Sequence, residues 1–402
     1  MGLILNDLKN ACELEHVCDY VNNRTTSSMN YISTENMLPN KGGISESTII
    51  PPGTTTEYKI GDILISNIRP YFQKIWCADR CGGCSADVLC IRAKENTDSK
   101  YLYYLLSQQA FFDYVMSGAK GCKMPRGDKK QIMQWPVNIP AIDVQKKVVA
   151  ILSSLDNKIR LNRRINDNLE EQAKALFKSW FVDFEPFKGG KFVDSKLGPI
   201  PEGWSIGKVN DVVQILSGFA FKSETFVQSG PYRLITIKGV QDGYLDISGA
   251  SYISKVPLKM PAYCNLEIGD ILLSLTGNVG RVCIVDRPNL LLNQRVAKLQ
   301  PRRDKQDLLF VYILFRQDTF KNHLLQIARG TAQLNLSPVE TREISIILPP
   351  ANVLLEFSKI GQYLFDKIAL SNQETLRLSA LRDTLLPKLM SGEISVEEVS
   401  LD

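Results

Sequence analysis

Basic and amide side chains at predicted strand ends and loops are the residues of this sequence best suited to chemistry. Lys and Arg bind DNA phosphates, whereas Arg, Asn and Gln can form hydrogen bonds with base edges. Two sets of candidate DNA-binding residues follow, one from each half of the chain: Asn67, Arg69, Tyr71, Lys74, Lys120, Lys123 and Arg126, and Lys222, Asn278, Arg281, Gln294, Arg295, Arg329, Gln333 and Asn335. For any single member, ordinary surface charge is the favoured interpretation. DNA contact is favoured for the Lys120 and Arg329 loops, because both residues precede a glycine.

Catalytic motifs are absent from the sequence. It contains no GxxxxGK[ST] phosphate loop and no Asn-Pro-Pro-Tyr-like element of amino-methyl transfer. The only histidines are His16 and His323, which argues against multi-histidine metal sites and histidine-based triads. We therefore predict no catalytic residue on this chain, and expect any associated reaction to come from partner proteins.

Four cysteines, Cys77, Cys81, Cys84 and Cys90, lie close together in the first half. Four thiolates could hold a structural zinc ion. The usual zinc pattern has two close pairs separated by a longer loop, however, and the second half has no equivalent cluster. Buried free thiols are therefore the favoured interpretation, no metal ligand is predicted, and zinc remains the alternative.

Length and composition indicate a globular protein with two or three domains. The chain has 402 residues, a net charge of +5 and 44% hydrophobic residues. It has no apolar run long enough for a transmembrane helix, and its first residues do not resemble a signal peptide. We therefore expect a cytoplasmic protein without membrane contact. The mildly basic charge permits a polyanionic partner but does not require one.

An internal repeat spans the chain. GDILIS at 61–66 recurs as GDILLS at 269–274, and YLYYLL at 101–106 recurs as FVYILF at 310–315. From Tyr101 onward, each residue has its counterpart 209 positions later. This period is too long for a solenoid, so it predicts a duplicated half-molecule: a globular domain followed by a long helix.

The predicted helices contain matching heptad patterns. The first is expected from about Ile142 to Phe181, a span without Gly or Pro. The predicted inter-helix seam consists of Leu152, Leu155, Ile159, Asn162, Asn166 and Leu169, with Leu364, Ile368, Ser371, Thr375, Leu378 and Leu385. Both copies become polar at the same central layers, which favours mutual pairing over two separately packed amphipathic helices.

These patterns predict an α+β fold with a pseudo-two-fold internal repeat. Two strand-rich globular domains are separated by two long antiparallel coiled-coil helices, which would hold the domains apart and bring the chain ends together. The expected divisions are a first globular domain, a central helical region with the start of a connector, the connector with a second globular domain, and a C-terminal helix with an acidic tail: 1–141, 142–184, 185–350 and 351–402. One helix per domain is expected, at Tyr101–Val115 and Leu308–Ala328.

Several segments resemble the specificity subunit of type I restriction–modification enzymes. They are LDNKIRLNRRINDNLEEQAKALFKSWFVDFEPF, SKLGPIPEGW, LRDTLLPKLMSGEI, GDILLSLTGNVG and ARGTAQLNLSPVE. The first half departs from this pattern, with IRPYF (Ile68–Phe72) in place of TGNVG and PRGD in place of LNLS. The resemblance covers nearly the whole chain. It implies two target-recognition domains, one for each half of a split DNA site.

The same resemblance implies a non-catalytic subunit of a larger complex. Its partners would be double-stranded DNA, two modification (methyltransferase) subunits and restriction/translocase subunits. S-adenosylmethionine, ATP and Mg would bind those subunits, with no cofactor on this chain. The alternatives are the same architecture in a type II-like methylating enzyme, a coiled-coil scaffold without DNA readout, and, more remotely, a zinc-dependent enzyme.

Overall fold

Two long helices organise the chain in the computed structural model, which describes residues 12–26, 29–47, 53–247, 249–303, 307–331 and 333–397. The helices are α1 (Ser99–Leu106), α2 (Gln109–Ser117), α3 (Lys129–Met133), α4 (Ile142–Phe181), α5 (Val209–Val212), α6 (Leu308–Arg316), α7 (Asp318–Ile327), α8 (Pro338–Arg342) and α9 (Ala351–Ser391). The predicted helix at 142–181 is confirmed as α4. No helix in the described ranges combines the length and apolar character needed to cross a bilayer.

The chain divides into two units. The first combines the chain up to Lys158 with the chain from Leu378, and the second runs from Ile159 to Arg377. Each unit therefore contains one strand-rich part, which we call head 1 or head 2, together with one segment each of α4 and α9. Within each unit these segments pair antiparallel, as shown by Asp156 with Arg382 in the first and Asn162 with Glu374 in the second.

Head 1 contains short, mostly antiparallel strands. They are β1 (Cys12–Glu13), β2 (Cys18–Tyr20), β3 (Arg24–Thr25), β4 (Thr55–Tyr58), β5 (Ile63–Ser66), β6 (Ile75–Cys77), β7 (Gly82–Cys84), β8 (Val88–Ala93) and β9 (Pro136–Val137). The main sheet has the order β2-β8-β5-β6, beside a smaller β3-β4-β7 sheet and the β1-β9 pair. Apolar residues of the main sheet form one core with α1, α2 and the adjoining ends of α4 and α9.

Head 2 repeats this plan with more strands. They are β10 (Phe192–Val193), β11 (Ile200–Pro201), β12 (Ser205–Lys208), β13 (Val213–Ser217), β14 (Phe226–Val227), β15 (Tyr232–Ile235), β16 (Tyr252–Ile253), β17 (Asn265–Leu266), β18 (Ile271–Ser274), β19 (Val282–Ile284), β20 (Leu290–Leu292), β21 (Val296–Pro301) and β22 (Ser345–Leu348). Its main antiparallel sheet, β13-β21-β18-β19, is the counterpart of β2-β8-β5-β6. The predicted fold class, with strand-rich domains, two long antiparallel helices and an internal repeat, is confirmed.

The prediction of one helix in each head was wrong, because two helices occur at each place. In head 1, α1 ends at Ser107, whose buried hydroxyl donates to the Tyr103 carbonyl at 2.6 Å, and the chain restarts as α2 from an extended Gln108. In head 2, Gln317 is extended between α6 and α7. Each break redirects the second helix while the apolar pattern continues, so the pattern alone did not reveal it.

Head 1 is fixed to the long helices by a polar cluster that we call clamp 1: Tyr104, Asp156 and Arg382. The Tyr104 hydroxyl donates to Asp156 at 2.7 Å, and Arg382 of α9 donates to the other oxygen of the same carboxylate at 2.8 Å. Burial raises the pKa of the Tyr104 phenol, and the Asp156 charge raises it further. The phenol therefore stays protonated and remains a donor.

Head 2 carries a comparable cluster, clamp 2: Tyr312, Glu170, Arg316 and Asp242. The Tyr312 hydroxyl donates to Glu170 at 2.6 Å, and Arg316 bridges Glu170 at 2.5 Å and Asp242 at 3.0 Å. The Arg316 and Glu170 side chains are only 9% and 12% exposed. Clamp 2 is thus a nearly buried ion pair, whereas Arg382 and Asp156 of clamp 1 are 23% and 30% exposed.

Candidate nucleic-acid interface

In head 1, the end of β5, the turn before β8 and the loop before α3 meet at one place. The Asn67 amide donates to the Asp87 carbonyl at 2.9 Å, and the Arg69 amide donates to the Pro125 carbonyl at 2.8 Å. Val88 donates back to Ser85 across the turn at 3.0 Å. We call this arrangement corner 1, made of residues 66–69, 85–88 and 120–128.

The same backbone arrangement occurs in head 2. The Leu275 amide donates to the Arg295 carbonyl at 3.1 Å, and the Gly277 amide donates to the Leu334 carbonyl at 2.8 Å. Val296 donates back to Asn293 across the turn at 2.9 Å. We call this arrangement corner 2, made of residues 274–277, 293–296, 329–331 and 333–337.

The two corners correspond bond by bond. Lys120 and Arg126 exchange two backbone hydrogen bonds of 2.9 Å, and their counterparts Arg329 and Asn335 exchange bonds of 2.9 and 2.7 Å. Even the unusual backbone conformation recurs, since φ is 52° at Arg69 of corner 1 and 74° at Gly277 of corner 2. Five predicted residues of each half therefore lie in the same frame: Asn67, Arg69, Lys120, Lys123 and Arg126 in corner 1, and Gln294, Arg295, Arg329, Gln333 and Asn335 in corner 2.

The side chains of corner 1 are paired with one another. Arg126 lies 3.1 Å from the Asp87 carboxylate, and Lys120 lies 2.8 Å from Asp128. The Lys120 ammonium, followed by the backbone amides of Lys130 and Gln131, lowers the pKa of Asp128. Corner 1 therefore displays cations whose charge is partly offset by neighbouring carboxylates.

Corner 2 has a different charge pattern. Arg329 lies 2.5 Å from Glu340, but the exposed Arg295 takes the position that Asp87 occupies in corner 1. Gln294 precedes it in the turn, and Gln333 lies in the facing loop. Apart from Arg329, which is paired with Glu340, and Asn335, which accepts a hydrogen bond from Thr276, this corner exposes one guanidinium and two carboxamides, which are groups suited to hydrogen bonding with base edges.

The remaining predicted residues lie outside these paired sets. The Lys74 ammonium donates to the Thr34 carbonyl at 2.6 Å, and burial lowers the pKa of this lysine. The Tyr71 ring packs against Phe72 with the centroids 4.7 Å apart. Arg281 is half-buried and donates to Gln241. Three further candidates are exposed: Lys123, Lys222 and Asn278.

Two predicted seam residues of α4 form hydrogen bonds with α9. Asn162 donates to Glu374 at 2.8 Å, and Asn166 donates to Asn372 at 2.7 Å, so the polar layers are hydrogen-bonded across the pair. The buried seam residues are Leu152, Leu155, Ile159, Asn162, Leu364 and Ile368. The half-buried ones are Asn166, Leu169, Ser371, Thr375, Leu378 and Leu385.

The clustered cysteines are free thiols with different surroundings. Cys84 and Cys90 are buried, Cys77 is half-buried and Cys81 is exposed. The prediction that these thiols are buried is therefore correct for two of the four. Across the described ranges, no group of three or more His, Cys, Asp or Glu side chains is arranged to hold a metal ion.

The carboxylates that pair with the basic residues were not predicted from the sequence. Asp87, Asp128 and Glu340 each neutralise a predicted DNA-binding cation. Thr276 was also missed, although its hydroxyl fixes the Asn335 carboxamide at 2.9 Å. Aligning the residue before β8 with the residue before β21 would have revealed the exchange of Asp87 for Arg295.

Comparison with known proteins gives this arrangement its context. The sequence model of the type I restriction modification DNA specificity domain matches residues 10–171 and again 201–379. Both halves of the chain, with both corners, fall within the matched regions. The chain therefore belongs to the type I restriction–modification DNA specificity family, whose function is DNA sequence recognition.

Curated relatives agree with this assignment. The chain is 29% identical to the type I restriction enzyme MjaIX specificity subunit of Methanocaldococcus jannaschii over 314 residues, which cover 76% of this chain and 71% of the relative. It is 26% identical to the HindI specificity subunit of Haemophilus influenzae over 441 residues, covering 90% and 94%. A crystal structure of a type I restriction–modification S subunit from M. genitalium aligns over 97% of this chain and 98% of that one, with a TM-score of 0.49 and 16% identity.

Proposed function

We propose that this chain recognises a bipartite double-stranded DNA site, with one half-site bound by each head. The observation that carries this proposal is the recurrence of one backbone corner in both heads, each displaying Arg, Lys or amide side chains. Lys and Arg supply affinity for phosphates, and Arg, Asn and Gln can distinguish bases in the major groove. Two similar frames with different side chains suit two different half-sites.

The chain itself catalyses no reaction under this proposal. It directs two modification subunits and, through the complex, restriction/translocase subunits to the DNA site. Those subunits bind S-adenosylmethionine, ATP and Mg, and the complex acts in the cytoplasm. The family assignment supports this division of labour, as does the lack of a phosphate loop in the sequence.

A stripe of apolar side chains on α9 supports docking of a partner. Ile360, Tyr363 and Leu370 lie on one face of this helix and are 51%, 62% and 59% exposed. Leu161 and Ile165 of α4 are also exposed, at 49% and 41%. Several large apolar side chains left in water on long helices are typical of a protein–protein interface. Modification subunits are the partners that the proposed function requires.

The docking face can be tested with one pair of variants. Leu370→Glu places a charge in the stripe and should weaken copurification with the modification subunits. Ala380→Glu, at an exposed position outside the stripe, should leave assembly unchanged. If both variants copurified equally well with the modification subunits, α9 would not be the docking face.

Methylome sequencing with and without this gene tests the function itself. A split methylated motif should disappear on deletion. Exchanging residues 199–350 for the matching segment of a relative should then change one half of that motif and leave the other half intact. A change in both halves would contradict the assignment of one half-site to each head, and an unaffected methylome would contradict the function.

A further inference from the structure

Corner 2 contains a groove of about 490 Å³ that has no carboxylate among its lining residues. Gln294 and Arg295 lie on one side of it, Gln333 and Asn335 lie on the other, and Thr276 and Pro338 complete the wall. A concave surface with several convergent polar groups is the usual form of a binding site.

The polar side chains of this groove differ in whether they already form a hydrogen bond or an ion pair within the protein. The Asn335 carboxamide oxygen accepts the Thr276 hydroxyl at 2.9 Å, which leaves its NH₂ group as a fixed donor. Within the part of the chain that the structure describes, no side-chain hydrogen bond or ion pair engages Arg295, Gln294 or Gln333. A guanidinium and two carboxamides therefore remain available to a ligand.

The backbone holds these side chains in defined positions. Gln294 and Arg295 are the two central residues of the turn closed by Val296 and Asn293, and the Arg295 carbonyl is bonded to Leu275 of the neighbouring chain segment. Across the groove, the Leu336 amide donates to the Leu275 carbonyl at 2.7 Å. Both walls are thus tied to the same strand end, which limits the entropy lost when a ligand binds.

We propose that this groove of corner 2 reads base edges in the major groove, and that Arg295 is its specificity-determining residue through a bidentate contact with guanine. This inference rests on the proposed function. A guanidinium presents two parallel donors that match the O6 and N7 acceptors of guanine. Gln294 and Gln333 each present a donor and an acceptor, the combination that matches adenine N7 and N6. Phosphate binding would make no comparable use of the two carboxamides.

The neighbouring cation Arg329 has a different role. Its guanidinium is 81% exposed and is paired with Glu340, and it is not among the residues that line the groove. An exposed, partly neutralised cation at the rim suits contact with the DNA backbone. Variants at Arg295 and Arg329 can therefore be compared to separate base reading from phosphate binding.

The experiment uses the full chain purified with the methyltransferase subunits encoded beside it. Duplex libraries randomised in each half-site would be bound at two salt concentrations and sequenced. Arg295→Ala should reduce discrimination at one position of the half-site read by head 2, on the order of tenfold or more, and leave the other half-site unchanged. Arg295→Lys should recover only part of this preference, because an ammonium lacks the planar fork. Arg329→Ala should weaken binding evenly across sequences and reduce its salt dependence.

Two outcomes would overturn the inference while leaving the proposed function intact: unchanged base preference in Arg295→Ala, or evenly weaker binding in that variant. Altered preference in the half-site read by head 1 would instead contradict the assignment of one half-site to each head. Thermal unfolding of the same samples would show that the exposed turn tolerates the change. If the unaltered complex bound all library sequences equally, the proposed function would fail instead.

Discussion

Corner 1 and corner 2 share one backbone and display opposite chemistry at equivalent positions. Asp87 of corner 1 corresponds to Arg295 of corner 2, and its ion-pair partner Arg126 corresponds to Asn335. The backbone hydrogen bonds of the frame are nevertheless the same in both. Because these bonds use only main-chain atoms, the frame is independent of the side chains that it presents. The side chains displayed at this position can therefore change without a change of fold.

The two clamps show the opposite relationship, with similar chemistry built from unrelated positions. In clamp 1 the guanidinium is Arg382 of the long helix α9, whereas in clamp 2 it is Arg316 of the head helix α6. Each clamp nevertheless joins a tyrosine hydroxyl, a carboxylate of α4 and an arginine. The clamps thus use the same types of interacting group at different positions of the repeat. The corners use the same positions of the repeat but carry different side chains.

The largest expected effect comes from breaking clamp 2. Arg316→Met should destabilise the second unit by about 3 kcal/mol, because it leaves the nearly buried Glu170 carboxylate without its cation. Arg382→Met should cost the first unit less, about 1 kcal/mol, since clamp 1 is more exposed to water. Hydrogen exchange of α6 and α1 in increasing urea would measure the two losses separately.

A matched control separates charge from packing in clamp 2. Arg316→Lys keeps the cation and should retain much of the stability lost in Arg316→Met. Equal losses for Arg316→Met and Arg382→Met would show that burial does not distinguish the two clamps.

A second test concerns packing where the repeat is broken. Gly361 of α9 is the counterpart of the fully buried Leu152, and a Cβ atom on Gly361 would lie 2.0 Å from a methyl carbon of Leu309. Gly361→Leu should therefore destabilise the second unit by about 2 kcal/mol through overpacking. Urea unfolding should show that adding Leu309→Ala recovers part of this loss. If Gly361→Leu were as stable as the unaltered chain, α6 would be free to move away from α9.

The extent to which sequence predicted the fold depended on the strength of local patterns. The helix at 142–181 was predictable because an apolar period continues through 40 residues without Gly or Pro. The repeated GDILIS and GDILLS segments contain β5 and β18, which are equivalent strands of the two heads. The breaks at Ser107 and Gln317 were not predictable, because no Gly or Pro marks them and the apolar period continues.

The residue types of the candidate site could be predicted from the sequence, but the ion pairs that they form could not. Arg126, Arg295 and Asn335 were selected for their residue types, and the structure brings all three to the corners. The partners Asp87 and Glu340 were missed, because ion pairing depends on tertiary contacts between a turn and a loop. Sequence likewise could not show that Arg295 lines a groove while Arg329 does not.

A smaller effect on stability is expected at the position where both corners have a positive φ but carry different residue types. Gly277 has a φ of 74° and Arg69 has a φ of 52°, a region that L side chains rarely adopt. Gly277→Ala should cost about 1 kcal/mol, because the added Cβ is strained in this conformation. Arg69→Gly should change stability little, since the strain it relieves is offset by greater freedom of the unfolded chain. Chemical denaturation of both variants would check this, and an equal cost at both positions would contradict it.

The smallest expected effect is a pH dependence confined to corner 1. Asp128 caps α3 by accepting hydrogen bonds from the Lys130 and Gln131 amides, whereas its counterpart Ser337 caps α8 with an uncharged hydroxyl. The Lys120 ammonium and these amides hold the pKa of Asp128 below its ordinary value of 3.8. A folded-state pKa below the unfolded one means that the cap stabilises fully above the ordinary value and is lost as pH falls through the depressed one.

Hydrogen exchange, corrected for intrinsic rates, should therefore show the Lys130 and Gln131 amides losing protection as the pH falls below the ordinary value of 3.8. The Glu340 amide, which donates to the Ser337 hydroxyl at 3.3 Å, should keep its protection over the same range. Asp128→Ser gives head 1 the cap of head 2 and should abolish the difference. Equal acid sensitivity at the two caps would show that the carboxylate is not the source of the pH dependence.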